Sequence, residues 1–306
     1  MRRRDFVVGA GSTVLAVGAG RALAQEKSGG DAVSGAEPFS VLFAPGPRHF
    51  GGAKNVDEYL DAIKRAYDFG FRAWEDNRLI ERQADLQTKV GALLKEKGMT
   101  MGVSVVSTGD GLSFSEANQE GQDRVIGEYQ KAVECAKRVG HKWFTLVPGS
   151  RVEGKGLSEQ IKGSSDLMQR CCDIFEEAGL VAVVEPLSHK MSKKPVLLET
   201  FQDGYEFCKV VNRPSCKLLA DYYHQQQVGG NLIKATDECW DQIAYVQYGD
   251  VPGRKQPGTG EINYVTVTKH LKDKGFTGLI GLEHGIKGKT EDLVASYREI
   301  DRAIQQ

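Results

Sequence analysis

Three acidic residues and one amide stand at or near the ends of successive apolar runs: Glu185 before Pro186, Asp221 before Tyr222-Tyr223-His224, Gln247 before Tyr248-Gly249-Asp250, and Glu283 before His284. Their separations are 36, 26 and 36 residues. Three carboxylates and an amide carbonyl form a hard, all-oxygen set, which suits Mg2+ or Mn2+ better than Zn2+ or Cu2+. Without a cation, clustered carboxylates repel one another and some take up protons. Singly, each acidic residue reads equally well as a helix cap or the partner of a surface lysine. Recurrence at four successive runs favours one shared site.

A shared site needs an architecture that brings run ends together. From Pro38 onward, short runs rich in Val, Ile and Leu alternate with longer amphipathic segments, the signature of βα units. The pattern predicts strands at 39–43, 72–75, 102–107, 143–147, 181–185, 217–221, 244–248 and 279–283. Helices are predicted at 55–69, 81–97, 117–139, 158–178, 200–211, 231–238, 264–274 and 290–304. Five of these are followed by a glycine (Gly70, Gly98, Gly140, Gly179 and Gly275), as helix C-termini often are. Eight units in series predict an α/β fold, a (β/α)8 TIM barrel of eight parallel strands inside a ring of helices. The C-terminal strand ends then form one face, where chemistry collects. A doubly wound open sheet is the competing architecture. It usually opens with a Gly-rich phosphate turn, whereas the first strand here runs into Ala44-Pro45-Gly46-Pro47.

The run from Gln247 to Arg254, continuing through Pro257-Gly258-Thr259-Gly260-Glu261-Ile262-Asn263-Tyr264, closely resembles the hydroxypyruvate isomerase group of the xylose isomerase-like barrels. That group also carries a Glu-Pro pair, an Asp-x-Tyr-His segment and a late Gly-x-x-Gly-x-Glu, matched here by Glu185-Pro186, Asp221 to His224 and Gly278 to Glu283. The resemblance covers about residues 39–300. It implies one divalent cation held by Glu185, Asp221, Gln247 and Glu283, with Glu185 and Glu283 doubling as the acid/base pair. The implied reaction is isomerisation or epimerisation of a small α-hydroxy carbonyl compound such as hydroxypyruvate or a ketose, by proton transfer through an enediolate. The resemblance also implies that His224 contacts substrate oxygens. Arg254, in a Gly-rich loop, suits a substrate carboxylate or hydroxyl. Glu75 either lines the pocket or pairs with Arg78. Thr259 and Gly260 are expected to start the following helix, and His49 and Lys190 to lie in top-face loops. Ser188 and Tyr245 depart from the group, which often has Asn and His there.

Two other enzymatic readings use the same strand ends. A lyase would cleave a 3-keto-glycoside after proton abstraction. A metal-dependent phosphodiesterase would need histidine ligands that these strand ends lack. A sugar-binding barrel without catalysis is the non-enzymatic alternative.

The N-terminus reads differently. Arg3-Arg4-Asp5-Phe6-Val7, a Gly/Ala-rich apolar stretch to Gly20 and Ala22-Leu23-Ala24 resemble a twin-arginine export leader over residues 1–25. Residues 26–37 read as a flexible linker and 38–306 as the barrel, so a periplasmic protein is expected. Net charge is −1, which supplies no drive toward nucleic acid or an anionic membrane. A small carbohydrate-like molecule is the expected partner, and a homo-oligomer is left open. The six cysteines contain no Cys-x-x-Cys and are expected to be buried free thiols, with Cys208 and Cys216 the pair to inspect for a bridge.

Overall fold

The computed structural model describes residues 35–306 apart from Ala53, Asp110 and 190–194. The leader, most of the linker and Lys190 lie outside the described residues.

Among the described residues nine short strands form: β1 (Leu42–Ala44), β2 (Ala73–Trp74), β3 (Thr100–Met101), β4 (Ser104–Ser107), β5 (Trp143–Leu146), β6 (Val181–Val184), β7 (Cys216–Asp221), β8 (Ile243–Tyr248) and β9 (Leu279–Leu282). All pair in parallel. The sheet order β1-β9-β8-β7-β6-β5-β4 covers seven of them, and β2 pairs with β3. The ring is stitched on either side of β2 by Glu75 N–H to Pro45 O (2.8 Å) and Val105 N–H to Asn77 O (3.0 Å). The single strand expected at 102–107 is therefore two half-strands, one turned to each neighbour. Gly102 lies at the break, where a Cβ would stand 2.4 Å from the Tyr245 hydroxyl.

Strand periodicity sets the interior. Ala44, Ala73, Val103, Val183, Leu219, Tyr245 and Leu279 form one buried cluster inside the ring. Side chains two residues apart share a face. Two residues beyond Ala73, Val183, Leu219, Tyr245 and Gly281 stand Glu75, Glu185, Asp221, Gln247 and Glu283. The intervening residues, among them Val184, Leu218, Ala220, Val246 and Ile280, join the outer core.

The ring of helices comprises α1 (Val56–Asp68), α2 (Ala84–Lys97), α3 (Gln119–Val139), α4 (Leu157–Gly163), α5 (Ser165–Glu177), α6 (Phe201–Val211), α7 (Tyr222–Val228), α8 (Leu232–Cys239), α9 (Tyr264–Asp273) and α10 (Thr290–Ala303). Their apolar faces bury aromatic side chains against the strands; Tyr129 of α3 and Phe175 of α5 have ring centroids 4.4 Å apart. Burying each such residue contributes about 1.5–3 kcal/mol. The expected helix 158–178 is broken into α4 and α5 at Ser164, whose hydroxyl donates back to Gln160 O at 2.9 Å and bends the chain. No helix had been expected at α7. Asp221 starts it by accepting the N–H of Tyr223 at 2.7 Å. Among the described residues, no helix is long and apolar enough to cross a membrane. All six cysteines are free and buried.

Two buried histidines tie the fold to pH. His141 stacks on Phe144 and contacts the Ser104 hydroxyl at 2.9 Å. His49 accepts Gly46 N–H and contacts His284 O, both at 2.9 Å, so it is fastened in the wall rather than presented to a ligand. Burial lowers their pKa values to about 3 for His141 and about 4 for His49. Both rings are neutral in the fold, while the unfolded chain protonates them near pH 6.5. Their stabilisation is complete above pH 6.5 and is lost as pH falls toward 4. Each contributes a slope of about 1.4 kcal/mol per pH unit in that window. The raised carboxyls at the strand ends act in the opposite sense, so the histidine share is read by difference: between pH 7 and pH 5 the stability of His141→Gln relative to wild type should rise by about one proton's slope, measured as urea midpoints.

Candidate active site

Five polar side chains meet at the C-terminal mouth because strand parity places them in one layer. Glu75, Glu185, Asp221 and Gln247 are all buried, and Glu283 is 17% exposed. Asp221 divides its oxygens: Oδ1 caps α7, and Oδ2 faces the mouth 3.3 Å from Arg254 Nη2. The capping role considered for the acidic residues thus holds for one oxygen of one residue. Glu283 accepts Asn77 Nδ2 at 3.0 Å on Oε1. Its Oε2 lies 2.9 Å from Arg254 Nη2, yet it is buried without a well-aligned hydrogen bond.

Gln247 donates Nε2–H to Glu75 Oε1 at 3.0 Å, and its own Oε1 is buried with no partner. Tyr245 Oη donates to the other oxygen of Glu75 at 2.7 Å. Both oxygens of Glu75 are therefore engaged inside the barrel, and the residue also lines the cavity shared with Arg48, Asn77 and Glu283, as one of its two expected roles requires. The other is not met, since Arg78 pairs with Glu81. Burial, and then the charge of Glu283, push the Glu75 carboxyl up to about 8.

His224 is carried inward on α7 and is buried. Its Nδ1 accepts Ser188 N–H at 3.1 Å. Burial lowers its pKa to about 3, with Arg254 adding to the effect, so the ring is neutral. A neutral imidazole accepts at only one nitrogen. Nε2 faces Glu185 Oε1 at 3.7 Å and Asp221 Oδ2 at 3.6 Å. An Arg254 Nη2–H points at it from 3.3 Å, so Ser188 and Arg254 compete for the ring's single acceptor nitrogen. Ligand atoms of Glu185, Asp221 and His224 lie within 4.8 Å of one another, so this buried group is compact enough to hold a metal. Glu283 lies outside that group.

Arg254 is fixed from three sides. Its Nε donates to Glu283 O at 3.0 Å, its guanidinium lies 4.7 Å over the Tyr223 ring, and its backbone adopts φ 47°. That left-handed conformation is uncommon for arginine and is held by the surrounding loop. Asp250 organises the loop. Its carboxylate accepts Val251 and Ile262 N–H on Oδ1 (both 3.0 Å), and Thr259 and Gly260 N–H on Oδ2 (3.1 and 2.8 Å). Thr259 and Gly260 thus serve Asp250 rather than start a helix, which begins at Tyr264. Motif spacing had singled out the run without revealing this cradle.

Burial raises the carboxyls of Glu185, Asp221 and Glu283. The neighbouring charges of Glu283 and Asp221 add to the rise at Glu185. Arg254 opposes it at all three.

A parallel barrel with an acidic mouth of this kind defines a class. Residues 63–300 match the family model described as xylose isomerase-like TIM barrel, and the chain belongs to that family. It is 28% identical to a 2-oxo-tetronate isomerase of Pectobacterium atrosepticum, over 76% of this chain and 89% of that protein. A Homo sapiens protein provisionally named as a hydroxypyruvate isomerase is 28% identical over 57% of this chain and 62% of its own length. Within the family the chain is thus an isomerase of the hydroxypyruvate isomerase-like kind. Among solved structures, a family 2 AP endonuclease of Brucella melitensis superposes with TM-score 0.73 at 22% identity, covering 85% of this chain and 98% of that one. A 3-keto-D-glucoside 4-epimerase of E. coli gives 0.67 at 19%, covering 87% and 99%. At such identities the superpositions concern the fold alone.

Proposed function

We propose that this protein is a divalent-cation-dependent isomerase or epimerase of a small α-hydroxy carbonyl substrate, with hydroxypyruvate or a 2-oxo sugar acid as the first candidates. The observation that carries this reading is the buried, unpartnered oxygen of Gln247 in the layer that also holds Glu185, Asp221 and Glu283. A buried acceptor without a donor costs about 1–3 kcal/mol, and it is relieved by a cation. Glu283 Oε2 is a second such atom. Arg254 is the cation these carboxylates share, so a divalent ion fits both the charge excess and the oxygen donors.

Glu185, Asp221, Gln247 and Glu283 would hold the ion, and Mg2+ or Mn2+ suits that donor set. When bound, it would polarise the substrate carbonyl. Glu185 and Glu283 would remove the proton beside that carbonyl and return it at the neighbouring carbon or on the opposite face. The Arg254 guanidinium would supply donors for substrate oxygens, with His224 Nε2 beside it. The same reading takes the N-terminal leader as a twin-arginine signal, so that the enzyme is exported already folded and acts in the periplasm.

The test is incubation with Mn2+ and either hydroxypyruvate, 2-oxo-tetronate or neutral ketoses in D2O. Deuterium should enter the carbon beside the carbonyl with substrate mass otherwise conserved, and chelation should stop it. Splitting of a 3-keto-glycoside without such exchange would instead establish the lyase. Mn2+ at a hundred times its dissociation constant should also stabilise the fold by about 2.7 kcal/mol. A melting temperature indifferent to Mn2+ and chelator would count against the site.

A further inference from the structure

An amide side chain has one oxygen and one nitrogen end of almost equal size, and only the oxygen end suits a cation. Something must decide which end of Gln247 faces the mouth. The residue is fully buried, so water cannot decide. Its Nε2 is held by Glu75 Oε1 at 3.0 Å, across the barrel from β8 to the end of β2. The second oxygen of Glu75 meets Tyr245 Oη at 2.7 Å, so Glu75 cannot swing away without breaking two buried bonds, and a proton on the carboxyl sits between Oε2 and Oη and leaves Oε1 as the acceptor for Gln247.

The surroundings are shaped to admit this carboxylate. At Gly281, between Leu279 and Glu283 on the inner face, a Cβ would lie 2.0 Å from Glu75 Oε2 and 3.0 Å from Gln247 Cγ. At Gly102 a Cβ would lie 2.4 Å from the Tyr245 hydroxyl and 3.4 Å from Glu75 Cβ. Two glycines on two strands thus make room for one carboxylate and the phenol that orients it.

We propose that Glu75 is a positioning residue: by engaging the amide nitrogen of Gln247 it commits the amide oxygen to the cation. This rests on the reading of Gln247 as a cation ligand. In Glu75→Gln, the new amide can donate to Gln247 Oε1 as readily as accept from Nε2. The preference for the ligating orientation then disappears, and a cation must compete with an internal hydrogen bond for the same oxygen.

The experiment is calorimetric titration of the full chain with Mn2+, alongside thermal melts of the metal-free protein. Glu75→Gln should weaken Mn2+ binding about 10–100-fold, the range for groups that orient a metal ligand, while the metal-free protein still melts cooperatively. Tyr245→Phe keeps the Glu75–Gln247 bond and should weaken binding less. The decisive variant is Glu75→Gln with Gln247→Glu. A carboxylate has two equivalent oxygens and needs no orienting, so this double variant should regain the lost affinity, which a general loosening of the barrel would not allow. Unchanged Mn2+ affinity in Glu75→Gln, or no recovery in the double variant, overturns the proposal. If Glu75→Gln does not fold, a Tyr245→Phe protein that binds as weakly as Gln247→Ala overturns it. A wild-type chain that takes up no divalent cation overturns this proposal together with the metal-dependent function, whereas normal wild-type uptake with an indifferent Glu75→Gln removes this proposal alone.

Discussion

Deuterium exchange at the substrate carbon should fall by about 10²–10⁴-fold in Glu185→Gln and in Glu283→Gln, the range that a positioned acid/base group contributes. The substitution is nearly isosteric and keeps one oxygen donor, so Mn2+ binding should survive in weakened form while proton transfer is lost. The two residues are set differently for the task. Glu283 is braced by Asn77 Nδ2 and by the nearby Arg254. Glu185 is buried more deeply, and the neutral His224 ring stands 3.7 Å from its Oε1. Burial and the charges of Glu283 and Asp221 raise its carboxyl well above the ordinary range in the metal-free protein. Single-turnover measurement at fixed, saturating Mn2+ separates the loss of proton transfer from the loss of cation. Normal exchange in either variant would remove that glutamate from the acid/base pair.

Asp250→Ala should produce the largest loss of stability among single changes near the mouth. Four backbone N–H groups converge on that one buried side chain. Leaving a buried donor without an acceptor costs about 1–3 kcal/mol. Even with water entering part of the gap, a net loss of about 4 kcal/mol is expected, or about 6–7 °C in melting temperature at this chain length. The loop so released carries Arg254, whose carbonyl accepts Gly285 N–H at 2.9 Å and whose side chain reaches Asp221 and Glu283. Any folded Asp250→Ala should therefore show a raised KM as well. Asp250→Asn keeps one acceptor oxygen and should lie between. Differential scanning calorimetry of the three proteins checks the order, and a melting temperature within about 1.5 °C of wild type, which is about 1 kcal/mol, would refute the cradle's importance.

How much was legible beforehand follows the range of the interactions. Glu185, Asp221, Gln247 and Glu283 were found because each sits at a fixed phase of its own strand, a local property. Helix α7 was missed because Tyr222-Tyr223-His224 continues an apolar run into Gln225-Gln226-Gln227, which carries no amphipathic rhythm. The fold decides it, through the Asp221 cap and the turn of His224 under Ser188. The break at Ser164 depends on one hydroxyl turning back on the helix, which periodicity does not register. Glu75 was noticed at a strand end, but its partners stand 170 and 172 residues away in sequence, and local spacing carries no trace of such a contact. Tyr245, marked as a departure from the hydroxypyruvate isomerase group, now has a physical reason: its hydroxyl reaches Glu75.

The ring wall is uneven. Six parallel ladders join β4 through β9 and on to β1, two of them with a register shift, whereas β2 shares only a two-residue ladder with β3 and meets β1 by hydrogen bonds outside any ladder. Local opening favours the least cross-linked stretch of a fold. Asn77 and the Arg48 loop border a cavity of about 250 Å³ on that side, next to Glu283. The cavity beside Glu283 thus lies on the side of the wall with the shortest ladder, while the strands bearing Glu185, Asp221 and Gln247 are clasped to one another by longer ones.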